Sequence, residues 1–87
     1  MYFTYVLKSL QDGTFYTGTT NDLKKRLTEH NKGNNFSTKC LRSYKIIYFE
    51  GCINKQDTLR REKYLKTSWG KRYIKNRIKS YLRNKSL

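Results

Sequence analysis

The alternation of apolar and polar residues predicts three strands. Residues 2–8 (YFTYVLK) are rich in β-branched and aromatic residues and form a run short enough for a strand. Residues 11–13 (QDG) supply turn chemistry, and residues 14–18 then read as a second strand, so that the two predict a hairpin. Residues 44–49 (YKIIYF) are an almost continuous apolar run, which is typical of a strand in the middle of a sheet.

A first helix is predicted directly after the hairpin. Residues 20–22 (TND) are good N-cap residues, and the helix runs to about Asn31, with Gly33 as its stop. Residues 34–42 are polar and lack a period, which is typical of a loop.

The second half of the chain predicts two more helices. One begins near Asn54 or Asp57 and runs to about Thr67, where residues 68–70 (SWG) break it. From about Lys71, apolar residues recur at helical spacing, while the other faces carry seven lysines or arginines and no acid. The apolar stripe of this last helix consists of Ile74, Ile78, Tyr81 and Leu82.

The predicted order is therefore β-β-α-β-α-α, which indicates an α+β fold: a small three-stranded mixed or antiparallel sheet flanked by helices. A chain of 87 residues supports one modest core. We expect residues 1–69 to form the main domain and residues 70–87 to form a basic amphipathic helix packed on that domain.

The net charge of the chain narrows the set of expected binding partners. Twenty Lys and Arg residues face six Asp and Glu residues, giving a net charge of +14, which calls for a polyanionic partner. Nucleic acid is the first candidate, an anionic membrane surface is the second, and a structural RNA-binding role stays open. An aromatic content of 15%, with eight tyrosines, argues against a disordered basic tail.

The lack of a recognisable targeting segment and the spacing of the cysteines predict a cytoplasmic protein. No segment resembles a signal peptide, and no apolar run approaches the roughly 18 residues of a membrane span, so we expect a soluble intracellular protein. No membrane partner is expected, and association of the basic last helix with an anionic membrane surface stays the weaker alternative. Cys40 and Cys52 lie outside any Cys-x-x-Cys spacing and are expected to be free thiols, which fits a reducing compartment. With one histidine in the chain, a zinc site with four ligands is not expected.

The first helix places two candidate functional groups at the edge of its apolar stripe. At about 100° per residue, Arg26 and His30 fall within the same arc as the leucines of this helix, while Lys24 and Lys25 face water. Two groups four residues apart can act on one target. The alternative is a snorkelling arginine beside a hydrogen-bonded structural histidine.

The second helix carries a carboxylate among its core-facing residues. Burying the ionised Glu62 carboxylate there costs free energy unless a cation pairs with it, and that cation could be Arg26, a lysine or a metal ion. The other five acidic residues each have a structural role available. Mg²⁺ tolerates a single carboxylate because it keeps most of its waters. The predicted core-facing residues around Glu62 are Thr58, Leu59, Leu65 and Trp69.

Two tyrosines extend this set. Tyr5 and Tyr16 lie on the two hairpin strands and could share a sheet face, although a strand tyrosine most often packs with its hydroxyl in water. Together with Arg26, His30 and Glu62, they would make up a phosphodiesterase that uses one metal ion. A phenol pKa of about 10 is too high for a general base at neutral pH, so nearby cations would have to lower it.

At these residues the chain resembles the GIY-YIG nuclease superfamily. It is most similar to the small stand-alone bacterial members and more distantly to the N-terminal incision domain of the UvrC excision-repair subunit. Residues 3–5 (FTY) stand where the family has Gly-Ile-Tyr, and residues 16–18 (YTG) stand where it has Tyr-Ile-Gly. Residues 21–27 (NDLKKRL) and 59–66 (LRREKYLK) match its two helices, so that the resemblance covers about residues 2–67.

The resemblance implies a metal-dependent endonuclease that hydrolyses phosphodiester bonds in DNA, in repair or recombination. Glu62 would hold one Mg²⁺ or Mn²⁺ ion on the scissile phosphate. Tyr16 or Tyr5 would take the proton from the attacking water, and Arg26 would clamp the phosphate. His30, where the family has His or Tyr, would form a hydrogen bond in the same site.

One departure from the family pattern keeps a second hypothesis open. Thr19 stands where incision-type members often carry a lysine that could lower a tyrosine pKa. A non-catalytic nucleic-acid-binding protein on a nuclease-like fold is therefore the alternative. The sequence does not predict the oligomeric state or the preferred DNA structure. Under both hypotheses the expected nucleic-acid contacts are Lys8, Lys24, Lys25, Lys39 and Lys66.

Overall fold

The computed structural model describes residues 1–32 and 43–84. The sheet in this part is antiparallel, with strand order β2-β1-β3. The predicted α+β class, with a three-stranded sheet flanked by helices, is confirmed. The predicted helix stop at Gly33, the loop at residues 34–42 and the lysine at position 39 lie outside the described residues. The elements are β1 (Tyr2–Ser9), β2 (Phe15–Thr20), α1 (Leu23–Asn31), β3 (Tyr44–Cys52), α2 (Lys55–Leu65), α3 (Ser68–Arg77) and α4 (Lys79–Asn84).

β1 and β2 form the predicted hairpin. Gly13 in the turn has a φ of 75°, a left-handed conformation that glycine adopts without steric cost. The register pairs Tyr5 with Gly18 and Leu7 with Tyr16. Residues directly opposite each other share a sheet face, and side chains alternate along a strand, so Tyr5, Leu7 and Tyr16 point to the same side. The two tyrosines therefore pack in one cluster, as the sequence suggested.

The central strand is β1, and the prediction that residues 44–49 lie in the middle of the sheet is wrong. The four β1 residues 4–7 are buried because helices cover both faces of this strand. β3 is an edge strand, and its Phe49 side chain is 53% exposed. Both strands read as nearly continuous apolar runs, so hydrophobicity alone does not separate a central strand from an edge strand.

Two apolar clusters hold the helices on opposite faces of the sheet. One lies beneath α1, and the other lies beneath α2 and α3. Side chains of β2 contact helices on both faces of the sheet, α1 on one face and α2 on the other. The buried apolar members are Tyr5, Leu7 and Tyr44 on the α1 face, and Val6, Leu65 and Ile74 on the α2–α3 face.

Side-chain caps fix where the first three helices begin. Asp22, Asn54 and Thr67 each accept a hydrogen bond from the backbone N–H three residues later, at 3.1, 3.0 and 3.1 Å. Such caps satisfy N–H groups that the first turn of a helix leaves without a partner. The predicted starts of α1 and α2 follow from the first two caps.

The C-terminal segment differs from the single helix predicted after residue 70. Thr67 caps a helix that already begins at Ser68, so residues 68–70 start a helix instead of breaking one. α3 ends at Arg77, because the C-cap residue Ile78 has a φ of −113° and a ψ of 29°, which are not helical, and the short α4 follows. The boundary drawn between residues 69 and 70 falls inside α3, and the division into two parts stays a prediction.

The chain turns sharply between α2 and α3, and this turn changes which residues are buried. Thr58 and Leu65 are buried as predicted, but Leu59 is 37% and Trp69 is 68% exposed. Trp69 faces solvent because α2 stops at Leu65 and Trp69 belongs to the next helix. Gly70 permits the close approach of the two helices, since a Cβ there would overlap backbone atoms of α2.

The helices of residues 1–32 and 43–84 include none with the length and apolar character needed to cross a membrane.

Candidate active site

β1 and α1 bring Tyr5, Arg26 and His30 into one hydrogen-bonded group. The Nε–H of Arg26 donates to Tyr5 Oη at 3.2 Å, and Tyr5 Oη lies 3.1 Å from His30 Nε2. Tyr5 and His30 are fully buried, whereas Arg26 is half-buried. The spacing along α1 explains this arrangement, because Arg26 and His30 lie on its inner side while Lys24 and Lys25 are exposed.

Burial sets the protonation states of this group. Burial raises the pKa of Tyr5 above its ordinary value, although the hydrogen bond and the charge of Arg26 oppose the shift. Burial, together with the charge of Arg26, lowers the pKa of His30. Tyr5 is therefore a neutral phenol and His30 a neutral imidazole at neutral pH. Since Tyr5 Oη accepts from Arg26, we assign its proton to the hydrogen bond with His30 Nε2.

Three tyrosines surround the His30 ring. The ring centroids of Tyr16, Tyr44 and Tyr5 lie 4.8, 5.9 and 6.0 Å from that of His30. These edge-on and tilted contacts hold the imidazole in one orientation. Sequence reasoning missed Tyr44, because nothing in the apolar run of β3 separates it from a tyrosine that only packs.

Gly18 makes room for the Tyr5 side chain. It lies directly opposite Tyr5 in the hairpin, and a Cβ at this position would overlap the Tyr5 hydroxyl. Position 18 in the YTG stretch therefore requires a glycine for steric reasons, since the phenol of Tyr5 crosses the backbone of β2 at this point. A larger residue at position 18 would push the phenol away from Arg26.

Glu62 approaches β2 from the other face of the sheet. Thr19 Oγ1 donates to Glu62 Oε1 at 2.6 Å, and Lys66 Nζ donates to Glu62 Oε2 at 2.8 Å. The Glu62 side chain is 22% exposed, so both contacts are partly shielded from water. Of the cations that the sequence left open, Lys66, one turn later on α2, contacts this carboxylate directly.

The Glu62 carboxylate is ionised. Burial opposes ionisation, but the hydrogen bonds from Lys66 and Thr19 and the charges of Lys66 and Arg26 outweigh it, so the pKa of Glu62 lies below its ordinary value. Arg26 on α1 thus acts on Glu62, and the charge of Glu62 in turn contributes to the raised pKa of Tyr5. The groups on the two sides of β2 share one electrostatic environment.

This site suits a metal ion that needs few protein ligands. Among the residues that the structure describes, no three or more His, Cys, Asp or Glu side chains are grouped so that they could hold a metal ion. Glu62 offers an ionised oxygen donor that already attracts a cation, the ammonium of Lys66. Mg²⁺ fits such a donor, because it keeps several waters and binds one or two carboxylates together with substrate phosphate.

The lysines predicted to bind nucleic acid take different positions. Lys66 joins the Glu62 site, while Lys24 and Lys25 are exposed on the outer side of α1. Lys8 lies apart from the site, with its Nζ 5.6 Å from the centroid of a tyrosine ring of α4. Lys39 lies outside the described residues. Nucleic-acid contacts by these lysines stay a prediction.

Sequence reasoning did not foresee how Thr19 and Lys66 contact Glu62. The signal for Lys66 was present, because it lies four residues after Glu62 on a helix and such pairs are neighbours. The signal for Thr19 was absent, because its hydrogen bond depends on how α2 packs against β2. Spacing along the chain does not report that packing.

Acidification is expected to destabilise the protein through His30. Its folded-state pKa lies below 6.5, so between the two values the unfolded chain binds more protons than the folded one. The free energy of unfolding should therefore be highest above pH 6.5 and fall as the pH drops through this window, by up to about 1.4 kcal/mol per pH unit. Urea unfolding at a series of pH values measures this slope.

Two controls test whether this pH dependence comes from His30. The chain has one histidine, so a single imidazole NMR signal reports its pKa directly, and a value above 6.5 would contradict the expectation. A His30→Asn variant should lose the slope in this window. Glu62 does not interfere, because its own contribution is lost only as the pH falls below 4.5.

Comparisons with known proteins identify the family of the chain. A family model described as the GIY-YIG catalytic domain matches residues 1–75. A UPF0213 protein of Clostridium perfringens is 40% identical over 67 residues, which cover 76% of this chain and 71% of that protein. A UPF0213 protein of Streptococcus agalactiae is 40% identical over 74% of this chain and 73% of its own, and one of Staphylococcus saprophyticus is 36% identical over 76% and 80%. No solved structure matches the chain significantly. The chain therefore belongs to the GIY-YIG family and is similar to its small bacterial UPF0213 members.

Proposed function

We propose that this protein is a metal-dependent endonuclease that hydrolyses phosphodiester bonds in DNA, acting in the cytoplasm in repair or recombination. The observation that carries the proposal is the meeting of two groups around β2. Arg26, Tyr5 and His30 form one hydrogen-bonded group, and the ionised Glu62 lies within its electrostatic reach. The free thiol of Cys52 fits a reducing compartment.

Charge neutralisation on the phosphate would come from both sides of β2. Glu62 would hold a single Mg²⁺ or Mn²⁺ ion, which supplies Lewis-acid stabilisation of the phosphate when bound. The Arg26 guanidinium gives one N–H to Tyr5 and another to Glu29, at 3.2 and 3.3 Å. Its remaining N–H groups are available to bind phosphate oxygens and to offset the charge that develops in the transition state.

Tyr5 can move a proton without first becoming a phenolate. As Tyr5 Oη takes a proton from the attacking water, its own proton passes along the 3.1 Å contact to His30 Nε2. The water loses one proton and the imidazole gains one, so the raised pKa of Tyr5 is no obstacle. The negative charge of a bound DNA backbone would stabilise the resulting imidazolium. Tyr16 stays the alternative acceptor, because its ring packs against His30.

Position 19 lacks a lysine, but a lysine from α2, Lys66, lies beside Glu62. Thr19 orients Glu62 through its hydroxyl, and Lys66 brings a positive charge to the same carboxylate from α2. The cation in this site would thus come from a helix instead of from the strand.

A cleavage assay on the full-length protein tests the proposal. Supercoiled plasmid and labelled branched, damaged and single-stranded DNA would be incubated with Mg²⁺, with Mn²⁺ and with EDTA. Products are expected with either metal and none with EDTA, and a matched RNA distinguishes DNA from RNA cleavage. Cleavage in EDTA would refute metal dependence. Steeply salt-dependent binding without product under any metal would instead favour the non-catalytic binder.

A further inference from the structure

A cleft of about 730 Å³ lies beside the proposed catalytic site. The start of β2, the end of α2, α3 and α4 line it, so it opens on the α2–α3 face of the sheet. Its floor consists of apolar residues from the core beneath these helices, Val6, Leu65 and Ile74. The volume is within the range of ligand-binding clefts in proteins.

The lining of the cleft combines positive charge with apolar surface. Lys66, Lys71 and Lys75 contribute three positive charges, and no acidic residue lines the cleft. Phe15, which is 38% exposed, and the half-buried Leu82 contribute apolar walls. A ligand that suits this lining is anionic and also has apolar faces. Unpaired nucleotides have both properties, since their bases stack on aromatic side chains while cations track their phosphates.

The cleft is continuous with the catalytic site. Lys66 lines the cleft and also donates a hydrogen bond to Glu62, so one side chain belongs to both. A nucleic-acid strand with its scissile phosphate near Glu62 would therefore pass Lys66 and enter the cleft. An intact duplex would leave the apolar walls without a partner, because its base faces are stacked inside the helix.

We propose that this cleft binds unpaired nucleotides that flank the cleavage position, and that the preferred substrates are DNA molecules with a single-stranded segment next to the duplex. The choice of DNA rests on the proposed nuclease function. The match between the cleft and unpaired nucleotides rests on its own charge and apolar walls, and it is tested by binding alone.

Fluorescence anisotropy in EDTA tests this inference without cleavage. The probes are a blunt labelled duplex and the same duplex carrying an oligothymidylate flank at its 5′ or 3′ end. The wild-type protein is expected to bind one of the flanked probes about tenfold more tightly than the blunt one, as the stacking of one base would provide. Equal affinities for the blunt and both flanked probes would overturn the proposal.

Variants of the lining residues locate the effect. Phe15→Ala and the double variant Lys71→Gln/Lys75→Gln should each reduce the affinity for the flanked probe to that for the blunt probe. The double variant should also lower the salt dependence on oligothymidylate by a slope of about 1.4, corresponding to two lost phosphate contacts. Retention of the flank preference in both variants would overturn the proposal.

Two matched controls come from exposed residues that do not line the cleft. Trp69→Ala removes an exposed aromatic side chain, and Arg72→Gln/Lys79→Gln removes two positive charges. Both should keep the flank preference, and its loss in either would place the flank on another surface and overturn the proposal. Displacement of the flank by phosphatidylserine vesicles that bind through Lys71 and Lys75 would likewise reassign the cleft to a membrane surface.

The outcomes separate this inference from the nuclease proposal. If no DNA is cleaved but the flank preference depends on Phe15, the cleft inference stands and the nuclease proposal fails. If DNA is cleaved but the lining variants bind like the wild type, the cleft inference alone fails.

Discussion

Replacing Glu62 by glutamine is expected to lower metal-supported DNA cleavage by at least about 10³-fold, because a bound metal ion contributes several kcal/mol to transition-state stabilisation. The amide is neutral and binds Mg²⁺ poorly, but its oxygen can still accept a hydrogen bond from Thr19. The fold should therefore persist. Initial rates of plasmid nicking measure the loss, and thermal unfolding monitored by circular dichroism checks the fold.

A second carboxylate on α2 supplies the matched control for Glu62. Asp57 lies on the same helix and forms an exposed ion pair with Arg60. The hydrogen bond from Thr19 goes to Glu62 and not to Asp57. Asp57→Asn removes the same charge and should change the cleavage rate by less than about threefold, as expected of an exposed pair. Full activity in Glu62→Gln, or an equal loss in Asp57→Asn, would show that Glu62 is not the metal ligand.

Local periodicity predicted much of the α1 side of the site. A helix repeats at about 100° per residue, so the spacing of Arg26 and His30 fixed their common side relative to Lys24 and Lys25 before any tertiary contact was known. The turn at Gly13 likewise sets the register of the hairpin strands, and this register places Tyr5 and Tyr16 on one face of the sheet. These features depend on neighbours along the chain.

Long-range packing determined what the sequence did not predict. The central strand of the sheet is the one that helices cover on both faces, and this is β1. The apolar runs of β1 and β3 are alike, so the sequence does not show which of the two strands is central. The contact between Thr19 and Glu62 spans 43 positions and depends on the seating of α2 over β2. The start of α3 depends on the Thr67 cap, whose signal the glycine at position 70 obscured.

The sequence singled out Glu62, the proposed metal ligand, but it did not predict which groups contact it. Glu62 stood out because a carboxylate among core-facing residues needs a compensating cation. The structure supplies Lys66 as that cation, and the cost of burial is offset locally. A structural ion pair and a metal site therefore begin from the same geometry, and only metal binding and cleavage measurements on Glu62 variants distinguish them.

Replacing Arg26 by glutamine is expected to lower cleavage by about 10²–10³-fold, the cost of losing one preorganised donor to a developing negative charge. Arg26→Lys keeps the charge but loses the planar donor set, so an intermediate rate is expected. Lys25→Gln removes the same charge from the exposed side of the same helix and should have a small effect. Equal losses in Arg26→Gln and Lys25→Gln would mean that Arg26 contributes only to the general positive charge.

A second readout separates a role in the site from a role in folding. The charge of Arg26 helps to lower the pKa of His30, so the NMR titration of this single histidine should shift to higher pH in Arg26→Gln and stay unchanged in Lys25→Gln. The same variant removes the hydrogen bond that Tyr5 Oη accepts. A His30 titration that does not move would contradict the electrostatic link across this group, even if the cleavage rate fell.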